Sequence, residues 1–219
     1  MRHVIAAVFV SLDGVMQAPG GPEEDPTGGF THGGWTFHYW DEMMGQAMGG
    51  ILTPPFDLLL GRKTYDIFAG HWPYMKDDPI AATFNAVTKY VATSSTAPLT
   101  WANSVALHNP AADVARLKQQ DGPDLLLQGS SQLIQTLLAH GLIDRFNLLI
   151  FPLLLGKGKR LFGDGTVPAG LKLVDTKAST TGVILSTYVP AGTIQPGSFG
   201  LETPSDAELA RRERMKREG

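Results

Sequence analysis

The chain has 219 residues, 43% hydrophobic and 18% charged, which is enough to bury one globular core with room for an appendage. A net charge of −3 and a pI of about 6.0 provide no broad basic field, which argues against nucleic acid as a partner. The absence of cysteine excludes disulfides, thiolate metal sites and cysteine nucleophiles.

The opening run, His3 to Val10, reads as a buried strand ending at Ser11-Leu12-Asp13-Gly14. It is too short to span a membrane, and Asp13 stands where a leader would carry small cleavage-site residues, so a cytoplasmic protein without a membrane partner is expected. A long Gly/Pro-dense loop follows, Gln17 to Trp35, of the kind that is usually functional or mobile. Tyr39 to Leu52 has a helical pattern weakened by Gly45, Gly49 and Gly50. Leu58–Leu60 is a strand that breaks at Gly61 and resumes as a helix. After a loop from Gly70 to Pro79, Ile80 to Asn85 reads as a short helix. Lys89–Ala92 is a strand ending in the hydroxyl cluster Thr93, Ser94, Ser95 and Thr96, and Ser104–Leu107 is another.

Asp113 to Gln120 is helical up to Gly122-Pro123. Leu125–Leu127 is a strand that breaks at Gly129, and the helix after it places Leu133, Ile134, Leu137 and Leu138 on one face before Gly141 stops it. Phe146–Phe151 is a strand ended by Pro152, and Gly156–Lys159 is a turn. Leu171–Val174 and Val183–Val189 read as a closing antiparallel pair. Strands alternating with helices, then paired strands, predict an α/β fold: a mostly parallel central sheet with antiparallel C-terminal strands and flanking helices. Residues 1–190 are expected to form this domain. Residues 191–219 are expected to be a Gly/Pro linker and a charged tail, with Ser205-Asp206-Ala207-Glu208 as a capping box for a helix.

Two strand–glycine–helix junctions, DLLLGRKTYDIF and DLLLQGSSQLIQTLL, carry the functional reading. A strand that ends in glycine and feeds a helix leaves unpaired amides and a positive dipole end at one sheet edge, which suits phosphate. Two of them suggest a ligand with phosphates at two places, such as a dinucleotide. Arg62 and Lys63 suit either ion pairing with phosphate or ordinary solvation, Thr64 suits a hydrogen bond to phosphate or a helix cap, and Ser130-Ser131 suit phosphate or an N-cap. The Rossmann fingerprint is absent, because Leu161 stands where the third glycine after Gly156 and Gly158 belongs. No H-x-x-x-H metal spacing and no G-x-S-x-G nucleophile elbow occur.

The order of the motifs resembles a known superfamily. Ser-Leu-Asp-Gly closes the first strand, Gly-Arg-Lys-Thr-Tyr follows a later one, and a Thr-Ser-Ser cluster ends the next. Gln-Gly-Ser-Ser then opens a helix that finishes His-Gly-Leu-Ile-Asp, before Phe-Pro-Leu-Leu-Leu-Gly-Lys-Gly-Lys-Arg-Leu-Phe. From about Arg2 to Pro190 the chain resembles the dihydrofolate reductase-like superfamily, in the branch similar to the C-terminal reductase domain of the bifunctional riboflavin-pathway deaminase-reductase. The resemblance implies a three-layer fold, an NADPH-dependent reductase and a homodimer. It places Gly61, Arg62, Lys63 and Thr64 at the adenosine side of NADPH, with Thr93, Ser94 and Ser95 near a ribose 2′-phosphate. Gln128, Gly129, Ser130 and Ser131 fall at the diphosphate. With Arg62 present and no acidic ribose hook apparent, NADPH is expected over NADH.

Reduction also needs a proton, and two carboxyls suggest themselves. Asp13 matches the riboflavin-reductase pattern and is equally a turn residue before Gly14; Asp41 is near the position of the dihydrofolate reductase acid and is equally a favourable charge at a helix start. The aromatic segment Phe30 to Trp40 either walls a flat heterocycle, with Trp35 and Trp40 touching the substrate, or anchors the loop to the core. The implied substrate is a small pyrimidine- or pterin-like molecule or a sugar imine, 5-amino-6-(5-phosphoribosylamino)uracil among them. A ribose phosphate would need a second basic pocket, for which Lys157, Lys159 and Arg160 are the available residues. The other reading is an NADP(H)-binding sensor or interaction protein on the same scaffold, without turnover.

Overall fold

A computed structural model of the chain describes residues 1–200 and 202–218. Among the described residues, the strands are β1 (Val4–Ser11), β2 (Phe56–Gly61), β3 (Lys89–Ala92), β4 (Ser104–Leu107), β5 (Asp124–Leu127), β6 (Arg145–Phe151), β7 (Leu171–Ala178) and β8 (Ile184–Pro190). They form one sheet in the order β4-β3-β2-β5-β1-β6-β8-β7. The first six are mutually parallel, and β8 and β7 add antiparallel at one edge. The helices are α1 (Glu42–Ile51), α2 (Arg62–Ala69), α3 (Pro79–Ala86), α4 (Pro110–Gln119), α5 (Ser131–Ala139) and α6 (Asp206–Glu218).

The central strands read as unbroken apolar runs because both of their faces are covered. In β2 every residue is buried. Leu59 faces the side packed by Val114 of α4 and Ile134 of α5, while Leu58 and Leu60 face the side packed by Tyr65 of α2 and Phe84 of α3. The same alternation separates Leu125 and Leu127 from Leu126 in β5. The result is three layers, with the sheet between two sets of helices.

Caps set the helix boundaries more sharply than periodicity does. The helix expected from Tyr39 begins at Glu42, because Asp41 accepts the Met44 amide at 2.9 Å as N-cap. The helix expected from Asp113 begins three residues earlier, where Asn109 caps it and Pro110 takes the first helical position. The strand β7 runs to Ala178 rather than Val174. All eight of its residues are exposed, so the ladder to β8 extends it through Asp175, Thr176 and Lys177 where no buried face demands apolar residues.

The strand order places the site. β1 sits between β5 and β6, so the chain crosses the sheet in opposite directions on its two sides. In open α/β sheets, ligands bind outside the carboxyl ends of the strands at such a reversal. At the other end of the chain, α6 buries no residue. Among the described residues, no helix is long and apolar enough to cross a membrane.

Candidate functional site

At the carboxyl ends of β2 and β5 the two glycine junctions meet. The Gly61 amide donates to the Gly129 carbonyl at 3.0 Å, which brings the starts of α2 and α5 side by side. Neither helix has a side-chain cap: Gly61 has no side chain to offer, and the Ser130 hydroxyl makes no capping bond. The first-turn amides of both helices therefore open on the same rim with their positive dipole ends aligned. Glycine is required at both corners. Gly129 lies at φ +139, and a methyl there would come within 2.9 Å of Thr64 Oγ1. A methyl on Gly61 would fall 3.0 Å from the Ser130 amide nitrogen.

The rim continues toward β3. The Arg62 guanidinium, opening α2, holds Asp66 at 2.9 Å and reaches the Ala97 carbonyl at 3.4 Å. The segment it touches is the hydroxyl turn after β3, where Thr93 Oγ1 accepts the Ser95 amide at 3.0 Å and Ser95 Oγ accepts the Ala97 amide at 3.1 Å. Ser94 is exposed beside them. Gly61 to Thr64, Thr93 to Ser95 and Gln128 to Ser131 thus lie along one edge of the sheet.

From this rim a cleft of about 1070 Å³ runs over β1. Lys63, Thr64, Gln128, Ser130 and Ser131 line its polar side, and Ala7 to Phe9 form its floor. The far wall is apolar, with Met48 and Leu52 around α1 and Phe68, Trp72 and Phe84 around α2 and α3. The loop from Met16 to Asp25 closes the third side. Buried Gln17 pins that loop: its Nε2 donates to the carbonyls of Asp25 and Thr27, each at 2.9 Å, and its Oε1 accepts the Lys159 amide at 2.9 Å. Asp25 is ion-paired with Lys159, and Thr27 donates its hydroxyl to Asp25 at 2.5 Å. Burial works against ionisation of Asp25, but the bonds from Lys159 and Thr27 outweigh it and hold the carboxyl below its ordinary range.

Glu24 behaves in the opposite way. It lines the cleft, and its carboxylate accepts the Gly20 amide at 2.6 Å and the Gly21 amide at 3.2 Å. Burial pushes its pKa above the usual value; the two amides offset part of that, the Asp25 charge adds to it, and His71 subtracts.

The two carboxyls expected at the chemistry lie outside the cleft lining. Asp13 clasps two loops together: Ser11 Oγ donates to it at 2.6 Å, and the amides of Leu155 and Gly156 donate at 3.1 and 2.8 Å. What burial it has disfavours the charge, yet these bonds prevail and hold its pKa down at about 2. Asp41 is occupied with the Met44 amide and with the amide and hydroxyl of Thr180 at 2.8 and 2.7 Å. The Met44 amide foremost, then Thr180, holds its carboxyl below the ordinary range. The aromatic segment divides. Trp35 is buried, donates Nε1 to the Gln17 carbonyl at 2.8 Å and packs edge-on against Phe151 at 5.1 Å, so it anchors the loop. Trp40 stands at the cleft, 43% exposed and edge-on to Phe9 at 6.0 Å.

Sequence reasoning did not single out Glu24 or Gln17. Each sits in a loop without periodicity, and only its length and Pro/Gly density signalled a functional or mobile segment. Lys159, one of three basic residues available for a substrate phosphate, is ion-paired with Asp25.

Comparison with known proteins agrees with this architecture. Over 195 residues the chain is 28% identical to the uncharacterized protein YyaP of Bacillus subtilis (strain 168), covering 85% of this chain and 94% of that one. Among solved structures it resembles a pyrimidine reductase-like protein from Corynebacterium diphtheriae (TM-score 0.56, 13% identity, 87% of this chain and 92% of that one). It also resembles the dihydrofolate reductase of Enterococcus faecalis complexed with NADP(H) and RAB-propyl (TM-score 0.53, 16% identity, 86% and 96%). The fold is therefore dihydrofolate reductase-like. The family model of the RibD C-terminal domain matches residues 2–185, and the chain belongs to that family.

Proposed function

We propose that this protein is an NADPH-dependent reductase that transfers hydride to a C=N or comparable acceptor in a small heterocyclic substrate. One observation carries the reading: two uncapped helix starts, α2 and α5, are hydrogen-bonded into a single rim through Gly61 and Gly129 and open on a cleft large enough for two ligands side by side. The NADP(H) complex of the Enterococcus faecalis enzyme on the same fold supports the choice of cofactor.

The residues present fit that group. The amides of α5 with Ser130 and Ser131, and the start of α2 with Lys63 and Thr64, match a diphosphate; Arg62 and the Thr93–Ser95 turn match a phosphorylated ribose at the outer edge. NADPH, when bound, supplies the hydride. The chain itself does the positioning: Ala7 to Phe9 form a flat floor, Trp40 offers an aromatic face, and the loop pinned by Gln17 shields the cleft from water. Glu24 is the proton source in this reading, since it lines the cleft and burial raises its pKa, which favours the protonated form.

Fluorescence titration tests the cofactor before any substrate is chosen, because Trp40 and Trp72 both line the cleft. NADPH is expected to quench tryptophan emission saturably and to bind at least about tenfold tighter than NADH, a gap of about 1.4 kcal/mol from one charge-assisted phosphate contact. Arg62→Glu should abolish that gap. Equal affinity for the two nucleotides, or no binding, would defeat the proposal.

A further inference from the structure

The cleft is asymmetric in charge, and its asymmetry bears on the substrate. Among the described residues of its lining, the basic side chains other than the His71 imidazole are Lys63 and Lys159, and both gather at one point: their Nζ atoms lie 3.5 and 3.0 Å from Thr27 Oγ1, with Lys159 already paired to Asp25. Among the described residues, no arginine lines the cleft. Glu23, Glu24, Asp25 and Asp66 give its lining four carboxylates against those two lysines. The end away from the glycine rim is built from Trp40, Met48, Leu52, Phe68, Trp72 and Phe84. Three of those aromatics pack on one another, with ring centroids 5.1 to 6.1 Å apart.

A phosphate brought into such a wall would lose its hydration without gaining a counter-charge. The remaining anion donors are the amides opening α2 and α5, which the cofactor occupies in the reading above. A flat uncharged ring system, by contrast, would bury its faces against these side chains at no cost in lost ionic hydration.

Resting on the proposed reductase reading, we infer that the substrate is an uncharged, planar molecule with an apolar substituent and no phosphate, in contrast to the phosphoribosylaminopyrimidine that the family resemblance first suggested.

The test measures binding, so it does not depend on turnover. Nile red, a neutral planar dye, is titrated into the full chain, with and without NADPH, and then displaced by 5-amino-6-(5-phosphoribosylamino)uracil and by its dephosphorylated counterpart. The dye is expected to bind saturably and to lose at least about tenfold in affinity in both Met48→Lys and Ile67→Lys, each of which puts a cation on a partly buried position of the wall. Two variants on different helices, checked by circular dichroism, guard against one failing to fold. The phosphorylated compound is expected to displace the dye no more than tenfold better than the unphosphorylated one, which includes the case in which neither displaces it. A phosphate advantage above tenfold, or dye binding indifferent to both variants, overturns the inference. Failure of NADPH to bind would instead remove the reductase reading and leave the dye result to judge the wall on its own.

Discussion

At the scale of single residues, four carboxylates near the site divide by what surrounds them. Asp13 and Asp41 collect hydrogen bonds from backbone amides and hydroxyls, which favour the charged form; Asp25 has Lys159; Glu24 has burial and a like charge next to it. Asp13→Asn should cost about 1–2 kcal/mol of stability, since the amide cannot accept from both Leu155 and Gly156 as the carboxylate does. The sign of its pH dependence follows from a folded pKa of about 2 against an ordinary 3.8. The contribution is complete above 3.8 and lost as pH falls through about 2, so the gap in urea midpoint between wild type and variant should close over that acidic window. Glu24→Gln should leave NADPH binding intact and slow steady-state reduction by about 10²–10⁴-fold. Its raised pKa also predicts an activity limb in wild type that declines as pH rises, read from the pH profile of kcat/KM and absent from the variant. A variant that retains both full rate and limb would strip Glu24 of its role.

At the scale of elements, the helices that shape the cleft depend on what satisfies their ends. α3 is closed at its C-terminus by Lys89, a fully buried lysine whose Nζ donates to the carbonyls of Phe84 and Asn85 at 3.0 and 3.1 Å and lies 4.5 Å from the Trp101 ring. Burial lowers its pKa to about 8, against the opposing pull of Asp57. Lys89→Met strands those carbonyls and should destabilise by about 1–3 kcal/mol at neutral pH. A lysine depressed from 10.5 to about 8 makes the unfolded chain bind more protons between those values. The stability of wild type relative to Lys89→Met should therefore rise across that interval in urea unfolding, and a flat difference would contradict the assignment. The strand–helix corners follow another rule. Their helix starts are left open, where a side-chain cap would have occupied the first-turn amides that the proposed reading gives to phosphate.

At the scale of the whole molecule, stability and site reside in the sheet and its two helical layers. The tail helix α6 is held by its own ion pairs, such as Glu208 with Arg211 and Arg212, and it buries nothing. Ending the chain at Ser205 should therefore move the thermal midpoint by no more than about 1 °C, because solvent-exposed ion pairs along a helix support that helix alone and add nothing to the core. A larger drop in differential scanning calorimetry would show that α6 supports the core.

Much of this was legible in the sequence. The apolar runs of β1, β2 and β5, the period-3.6 face of α5 and the glycines after two strands are local signals, and local sterics translate them directly into a mixed sheet with two open helix starts. The helices read from Ile80 and Asp113 exist, though their starts are set by the Asp78 and Asn109 caps, which periodicity did not mark. What local pattern could not fix was which loop residues meet. Asp13 contacts residues more than 140 positions away, and Glu24 enters the cleft only because Gln17 ties its loop to Lys159 across a similar span. A carboxylate's chemistry depends on such neighbours. The sequence determined that two strands would end in glycine corners feeding helices, whereas the tertiary structure alone decided that those corners share one edge, which acid faces the cleft and which acids clasp loops, because register, burial and partner charge arise only when distant segments pack.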